Sequence, residues 1–200
     1  MDTKNLQLQQ SPTIVDEIIR NSALNDRTIH IFGTIEPEMA LEVQHYINRL
    51  IKYDKEARLP DEDKKMTLII NSYGGVIWAG NIIVGAIQYA QSLGYKVKGI
   101  CQGFAFSMAF DVLLACDERE GYSFSEYMVH QSSGGTQGEI VHMERSIEYT
   151  KAQWEKCVKF YMDKTNITKE QLDKIYETRK DWFMLCEEAL ELGVIHKILK

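Results

Sequence analysis

MTLIINSYGGVIWAGNIIVGAIQYAQSLGYKVKGICQG, residues 66–103, reads as a strand, a helix and a second strand. Its two ends, 66–71 and 96–103, are short, rich in β-branched residues and followed by turn residues, which is typical of strands. Between them, 76–94 is an apolar run of helical length that ends at Gly94, a residue favoured after helix C-termini. Two strands joined through a helix predict a parallel crossover unit.

The same alternation continues on both sides of this unit. A strand over 27–33 and a helix over 37–53 precede it, and a helix over 107–117 and a strand over 127–131 follow it. This order of elements predicts an α/β fold with a largely parallel sheet.

The last third of the chain has mainly helical periodicity. Over 138–164, apolar residues recur at steps of three, four or seven, which predicts one long helix with a narrow apolar stripe. Thr168 and Gln171 form a T-x-x-Q capping box for a helix over 169–178. A short helix that stops at Gly193 and a last strand complete the chain.

Composition limits the class of protein. A chain of 200 residues with 44% apolar and 26% charged residues suits one compact domain. The 29 acidic and 23 basic residues give a net charge of −6 with no basic stripe, which argues against nucleic-acid binding. Four cysteines without a CxxC pair indicate reduced thiols. No signal peptide or membrane span is predicted, so we expect a cytoplasmic protein.

Three turns that contain glycine hold the residues whose groups can take part in a reaction. In INSYGG a strand ends at Asn71, and Gly74 and Gly75 precede a helix start, whose free N–H groups can bind developing negative charge. In GFAFSMA, Ser107 opens the next helix, and in YMVHQSSGG a strand delivers His130 to a glycine-rich loop. These turns predict a site at one edge of the sheet.

A serine nucleophile needs a base, and the base needs an acceptor that fixes its tautomer. Ser107 and His130 supply the first two roles, and Asp181, just before an apolar pair in ETRKDWFM, can supply the third. Each residue also has a simpler interpretation. Ser107 can be a helix cap, His130 a core histidine, and Asp181 a cap for the helix near 187. Spacing alone leaves these alternatives open.

Four segments, taken in order, resemble the successive motifs of the ClpP family, the proteolytic subunits of the Clp protease (peptidase family S14). They are INSYGG, GFAFSMA, MVHQSSGGTQG and TRKDWFM…EEALELGVIHKIL. The resemblance extends from about residue 27 to residue 199. It implies that Ser107 is the nucleophile, His130 the general base and Asp181 the orienting acid. It also implies that the backbone N–H groups of Gly75 and Met108 form the oxyanion hole.

The resemblance implies a ClpP/crotonase-type fold of repeated ββα units with a projecting handle helix at about 138–164. One protease domain would span 27–200, and 1–26 would be an N-terminal segment that lines the axial pore or faces a partner. The implied assembly is a homo-oligomer of two stacked seven-membered rings, a tetradecamer. Its implied partner is a hexameric AAA+ unfoldase of the ClpX, ClpA or ClpC kind, its substrates are unfolded proteins and peptides, and no cofactor or metal is implied.

Two alternatives to the peptidase remain at this point. Tyr73 and Phe106 stand where the family has proline and alanine, and these bulky rings favour a catalytically impaired, structural ring subunit. A crotonase-type acyl-CoA enzyme would use a similar pair of backbone N–H groups, although a Ser-His-Asp set has no role in most such chemistry.

Overall fold

The computed structural model describes residues 22–200. Its strands are β1 (Thr28–Ile35), β2 (Lys65–Gly75), β3 (Lys96–Phe106), β4 (Glu118–Tyr122), β5 (Glu126–Val129), β6 (Trp182–Leu185) and β7 (Lys197–Leu199). Its helices are α1 (Pro37–Ala57), α2 (Ile77–Ser92), α3 (Met108–Ala115), α4 (Ile140–Lys164), α5 (Lys169–Thr178) and α6 (Cys186–Glu191), with a 3₁₀ turn at Asp61–Asp63. Apart from residues 22–26, the N-terminal segment expected over 1–26 lies outside the described residues.

The sheet is mostly parallel. Strands β1, β2, β3, β4 and β7 lie side by side in that order and run in the same direction. β3 has two partners on one side: Lys98–Cys101 pair with β4, and Phe104–Phe106 pair with β5. β6 is antiparallel to β5. The prediction of an α/β fold with a largely parallel sheet is therefore confirmed.

The core lies between the sheet and the helices that cross over it. In β2 every second residue from Met66 is buried, as expected for a strand with one face on the core. α2 packs so closely on α3 that a Cβ atom on Gly80 would overlap the Cγ of Met108. The close approach of these helices fixes the first residue of α3, which follows directly after Ser107.

The long helix predicted over 138–164 is α4, and only its second half packs on the domain. Trp154, Val158 and Tyr161 are buried there. The first half carries exposed apolar side chains, and Ile140 is 71% exposed. The predicted apolar stripe therefore divides into a buried part and an exposed part. The capping box predicted for the next helix is confirmed at the start of α5.

The sequence patterns missed β4 and β6. In β4 the inward positions are Arg119 and Gly121, so the strand shows no apolar alternation. The buried guanidinium of Arg119 donates hydrogen bonds to four carbonyl oxygens, those of Cys116, Lys164, Gly193 and Val194. This single side chain ties β4 to the C-terminal end of α4 and to the segment after α6.

We expect Arg119→Met to lower the free energy of unfolding by about 2–4 kcal/mol, because methionine fills the space but leaves buried carbonyl groups without donors. Urea denaturation measures the change. Arg49→Met is the matched control, since Arg49 is exposed on α1, and it should change stability by less than about 0.5 kcal/mol. Equal stability of the two variants would contradict a structural role for the Arg119 network.

The four cysteines are free, and three of them, Cys101, Cys116 and Cys186, are buried. This agrees with the expectation of reduced thiols. Within residues 22–200, no helix combines the length and the apolar composition that crossing a membrane requires.

Candidate active site

Ser107 lies between the end of β3 and the start of α3 in an unusual backbone conformation. Its φ of +52° and ψ of −125° are unfavourable for a residue with a side chain. Its N–H donates to the carbonyl oxygen of Met128 on β5 at 2.8 Å, which holds the turn in place. The Ser107 side chain makes no capping hydrogen bond to α3, so the helix-cap interpretation is wrong.

His130 directly follows β5 and reaches the Ser107 hydroxyl. The Nε2 atom of His130 lies 2.7 Å from Oγ of Ser107. The β3–β5 register pairs Phe106 with Met128, so the residues that follow these strands meet across the sheet. In the tautomer with hydrogen on Nδ1, the Ser107 hydroxyl donates to Nε2. This pair can transfer the hydroxyl proton to the imidazole.

Asp181 lies on the other side of the imidazole. Its Oδ1 atom is 3.7 Å from Nδ1 of His130, and its side chain is 50% exposed. The β5–β6 register pairs Val129 with Trp182, which brings these flanking residues side by side. The distance exceeds hydrogen-bond length, so the contact is an electrostatic one that strengthens when the imidazole is protonated.

The glycine pair predicted to bear an oxyanion donor, Gly74 and Gly75, lies against the turn that contains Ser107, here called the serine turn. Gly75 and Met108 line the same cleft as Ser107 and His130. A Cβ atom on Gly74 would lie 2.8 Å from the Met108 nitrogen and 2.6 Å from the Phe106 oxygen. Among the described residues no acceptor reaches the Met108 N–H, the first of α3. The structure therefore brings four of the five sequence-predicted residues to one cleft, Ser107, His130, Gly75 and Met108. Asp181 lies beside His130 but lines a separate pocket.

Two polar residues, to which the sequence analysis assigned no role, stabilise the turn that contains Gly74 and Gly75, here called the glycine turn. The hydroxyl of Ser72, fully buried, donates to the Gly33 carbonyl at 2.5 Å and accepts from the Gly74 N–H at 3.1 Å. The Asn71 Oδ1 atom accepts from the Phe104 N–H at 3.2 Å. Both side chains fall where the β1–β2 and β2–β3 registers shift, so they replace ladder hydrogen bonds. Their signal in the sequence is a pair of polar residues directly after an apolar strand.

The cleft has a volume of about 310 Å³. It is bounded on one side by the glycine turn and on the other by α4, which contributes Gln153, Trp154, Cys157 and Tyr161. Tyr73 also lines the cleft, whereas Phe106 packs edge-on against Phe183 at 5.6 Å between ring centroids. The two aromatic departures from the family pattern thus belong to a surface ring cluster that leaves the Ser107–His130 contact intact.

An acidic residue that the sequence analysis did not select lines this cleft as well. Asp111 lies on α3, one turn after Ser107, and its Oδ1 accepts a hydrogen bond from the Tyr161 hydroxyl at 2.6 Å. Burial raises the pKa of Asp111 to about 7, and the hydrogen bond from Tyr161 opposes that rise. Its signal in the sequence is one acid in the apolar helix SMAFDVLLA.

A comparison with protein families gives an independent result. The family model described as Clp protease matches residues 13–200. The matched region includes every strand and helix described above, together with the cleft. Because the match covers nearly the whole chain, this chain belongs to the Clp protease family.

Proposed function

We propose that the chain is a serine endopeptidase subunit of a compartmentalised, ATP-dependent protease. The observation that carries this proposal is the 2.7 Å contact between Ser107 Oγ and His130 Nε2 in a cleft that Gly75 and Met108 also line. Membership of the Clp protease family supports peptide hydrolysis and argues against the crotonase-type alternative. The strained conformation of Ser107 adds support, since such strain is concentrated at functional sites.

The proposed reaction proceeds through an acyl-enzyme. Ser107 Oγ attacks the peptide carbonyl carbon while His130 Nε2 takes the hydroxyl proton. The N–H groups of Gly75 and Met108 stabilise the negative charge that forms on the carbonyl oxygen. The C–N bond then breaks as His130 returns the proton to the leaving amine. Water, deprotonated by His130, attacks the Ser107 ester. His130 then returns the proton to Ser107 Oγ as the ester C–O bond breaks, which releases the acid product and the free serine.

In this scheme Asp181 positions His130 and stabilises its protonated form. We expect Asp181→Asn to lower kcat about 100-fold, because the amide carries no charge to stabilise the imidazolium. The loss is smaller than for a buried triad acid, since the half-exposed carboxylate is partly replaced by water. Steady-state hydrolysis of a fluorogenic peptide measures it.

Asp173→Asn is the matched control for this substitution. Asp173 lies on α5 and pairs with Lys169 on the surface, so kcat should be unchanged. Equal kcat values for Asp181→Asn and wild type would remove Asp181 from the mechanism while leaving the Ser107–His130 pair in place.

The proposal includes an assembly and a partner. The exposed apolar side chains on the first half of α4, Ile140, Val141, Ile147 and Tyr149, favour burial against a neighbouring subunit. We infer a homo-oligomer of two stacked seven-membered rings in the cytoplasm. An AAA+ unfoldase of the ClpX, ClpA or ClpC kind would deliver unfolded polypeptides to the enclosed sites.

Labelling with a fluorophosphonate probe tests the proposed function directly. The assembled wild-type protein should form a covalent adduct with the probe on Ser107, located by mass spectrometry of the proteolytic peptides. It should also hydrolyse short fluorogenic peptides without an ATPase. An assembled ring that neither labels nor hydrolyses peptides would overturn the proposal in favour of the structural ring subunit.

A further inference from the structure

We propose that Asp111 makes the pocket next to Ser107 selective for a cationic side chain, so that cleavage follows lysine or arginine. This inference rests on the proposed function, because it assigns the residue on the acyl side of the bond that Ser107 attacks. It concerns a residue that the proposed catalytic steps do not use.

The position of Asp111 places its side chain in the cleft that also holds Ser107 and His130. It lies four residues after Ser107 on α3, and its N–H points to the Ser107 carbonyl oxygen at 3.4 Å. Asp111 and Ser107 both line the same cleft, where the side chain next to the attacked carbonyl must be accommodated.

The carboxyl group of Asp111 is only partly satisfied. Oδ1 accepts from the Tyr161 hydroxyl, but among residues 22–200 no donor contacts Oδ2. None of the ion pairs in the described part of the chain includes Asp111. The carboxylate is only partly buried, so it keeps some contact with solvent, but it has lost part of its hydration. A bound ammonium or guanidinium group would compensate for that loss.

Part of the cleft wall is apolar. Ile77, Met108, Met128 and Trp154 line it together with polar residues such as Gln153. Lysine and arginine have an apolar stem and a charged tip, so the stem packs on such walls while the tip meets the carboxylate. A purely aliphatic side chain would pack on the same walls but leave the carboxylate unpaired.

A structural role for Asp111 is the competing interpretation. Its hydrogen bond with Tyr161 joins α3 to α4, and this link alone explains an acid at the position. Tyr161→Phe removes the link and keeps the carboxylate, whereas Asp111→Asn keeps an oxygen that accepts from Tyr161 and removes the charge. The two variants separate the two roles, and thermal melting shows whether each is folded.

Substrate pairs that differ only in the residue before the cleaved bond provide the test. Fluorogenic peptides with lysine or norleucine at that position have stems of similar length. We expect wild type to prefer lysine by at least about 10-fold in kcat/KM, and Asp111→Asn to lower the lysine-to-norleucine ratio by roughly 10-fold to 100-fold. Tyr161→Phe should retain the lysine preference. A wild-type preference for norleucine, or an unchanged ratio in Asp111→Asn, would overturn the inference.

The lysine preference should also depend on pH. Since the pKa of Asp111 is raised to about 7, the carboxylate is mostly charged at about pH 8 and mostly neutral at about pH 6. The lysine-to-norleucine ratio should therefore rise about 10-fold over this range. Burial raises the pKa of the neighbouring Tyr161 hydroxyl and Cys157 thiol, so both stay protonated. The His130 imidazole across the cleft acts on the same Ser107 hydroxyl with both substrates, so its catalytic contribution is common to the two.

A binding measurement separates failure of this inference from failure of the proposed function. Calorimetry on Ser107→Ala gives the Kd of acetylated tetrapeptides that end in lysine or norleucine and mimic the acid product. Tighter binding of the lysine peptide, lost on adding Asp111→Asn, supports the pocket even if wild type proves unreactive toward fluorophosphonate. Equal Kd values for the two peptides, with normal labelling of wild type, would overturn the pocket and leave the peptidase intact.

Discussion

Replacing Ser107 with alanine is expected to lower peptide hydrolysis by at least about 10⁴-fold and to abolish fluorophosphonate labelling. The substitution removes the oxygen that forms the acyl-enzyme and leaves His130 without a hydroxyl to deprotonate. The fold should be unaffected, because the Ser107 side chain caps no helix and its N–H still donates to the Met128 carbonyl. The alanine side chain is also no larger than that of serine, so it introduces no new steric clash in the strained turn.

Ser133→Ala is the matched control for this prediction. Ser133 lines the same cleft, is exposed, and makes no side-chain hydrogen bond within residues 22–200. Its variant should retain both labelling and turnover. If Ser107→Ala kept more than about 1% of wild-type turnover with normal assembly, the nucleophile would have to be another residue, and Ser133 would be the first to test.

The parts of the fold that the sequence predicts are those with a strong hydrophobic period. The strand–helix–strand unit at 66–103 has β-branched strands and a helix closed by a glycine, and the structure shows β2, α2 and β3 there. β4 has no such period, because Arg119 fills an inward position through hydrogen bonds to distant carbonyl groups. Gly121 fills the next inward position because the hydroxyl of Tyr127 occupies the space where its Cβ would be. Both residues are required by tertiary contacts, so no local sequence pattern predicts this strand.

The candidate site likewise has features that the sequence predicts and features that only the structure shows. The ordered motifs predict Ser107, His130 and Asp181 as site residues, and each falls at a strand end or a turn where the chain can present a side chain. The positive φ of Ser107 depends on hydrogen bonding to β5, which sequence alone does not specify. Asp111 is indistinguishable in sequence from an acid that favours the first turn of a helix. Only the packing of α4 over α3 shows that it faces a cleft.

The glycine turn links the stability of the sheet to the geometry of the site, so Gly74→Ala should disturb both. Gly74 has a φ of +85°, and a Cβ there would lie 2.8 Å from both the Met108 nitrogen and the Ser107 Cβ. These neighbours belong to the serine turn itself, and backbone atoms relax poorly. The serine turn must therefore move away from β2, which separates the Met108 N–H from Gly75 and displaces Ser107 from His130.

We expect Gly74→Ala to lower kcat/KM about 10⁴-fold, because a displacement near 1 Å and the loss of one oxyanion donor each cost about 100-fold and the two losses multiply. The free energy of unfolding should fall by about 2–4 kcal/mol. Gly94→Ala separates strain from contact, since Gly94 has a similar φ of +89° and no atom lies within 4 Å of the position that a Cβ would take there. That variant should lose about 1 kcal/mol and keep full activity. Peptide hydrolysis and urea denaturation of both variants measure these effects. Equal losses of activity and of unfolding free energy in the two variants would mean that the φ strain alone acts, and that contact with the serine turn contributes nothing.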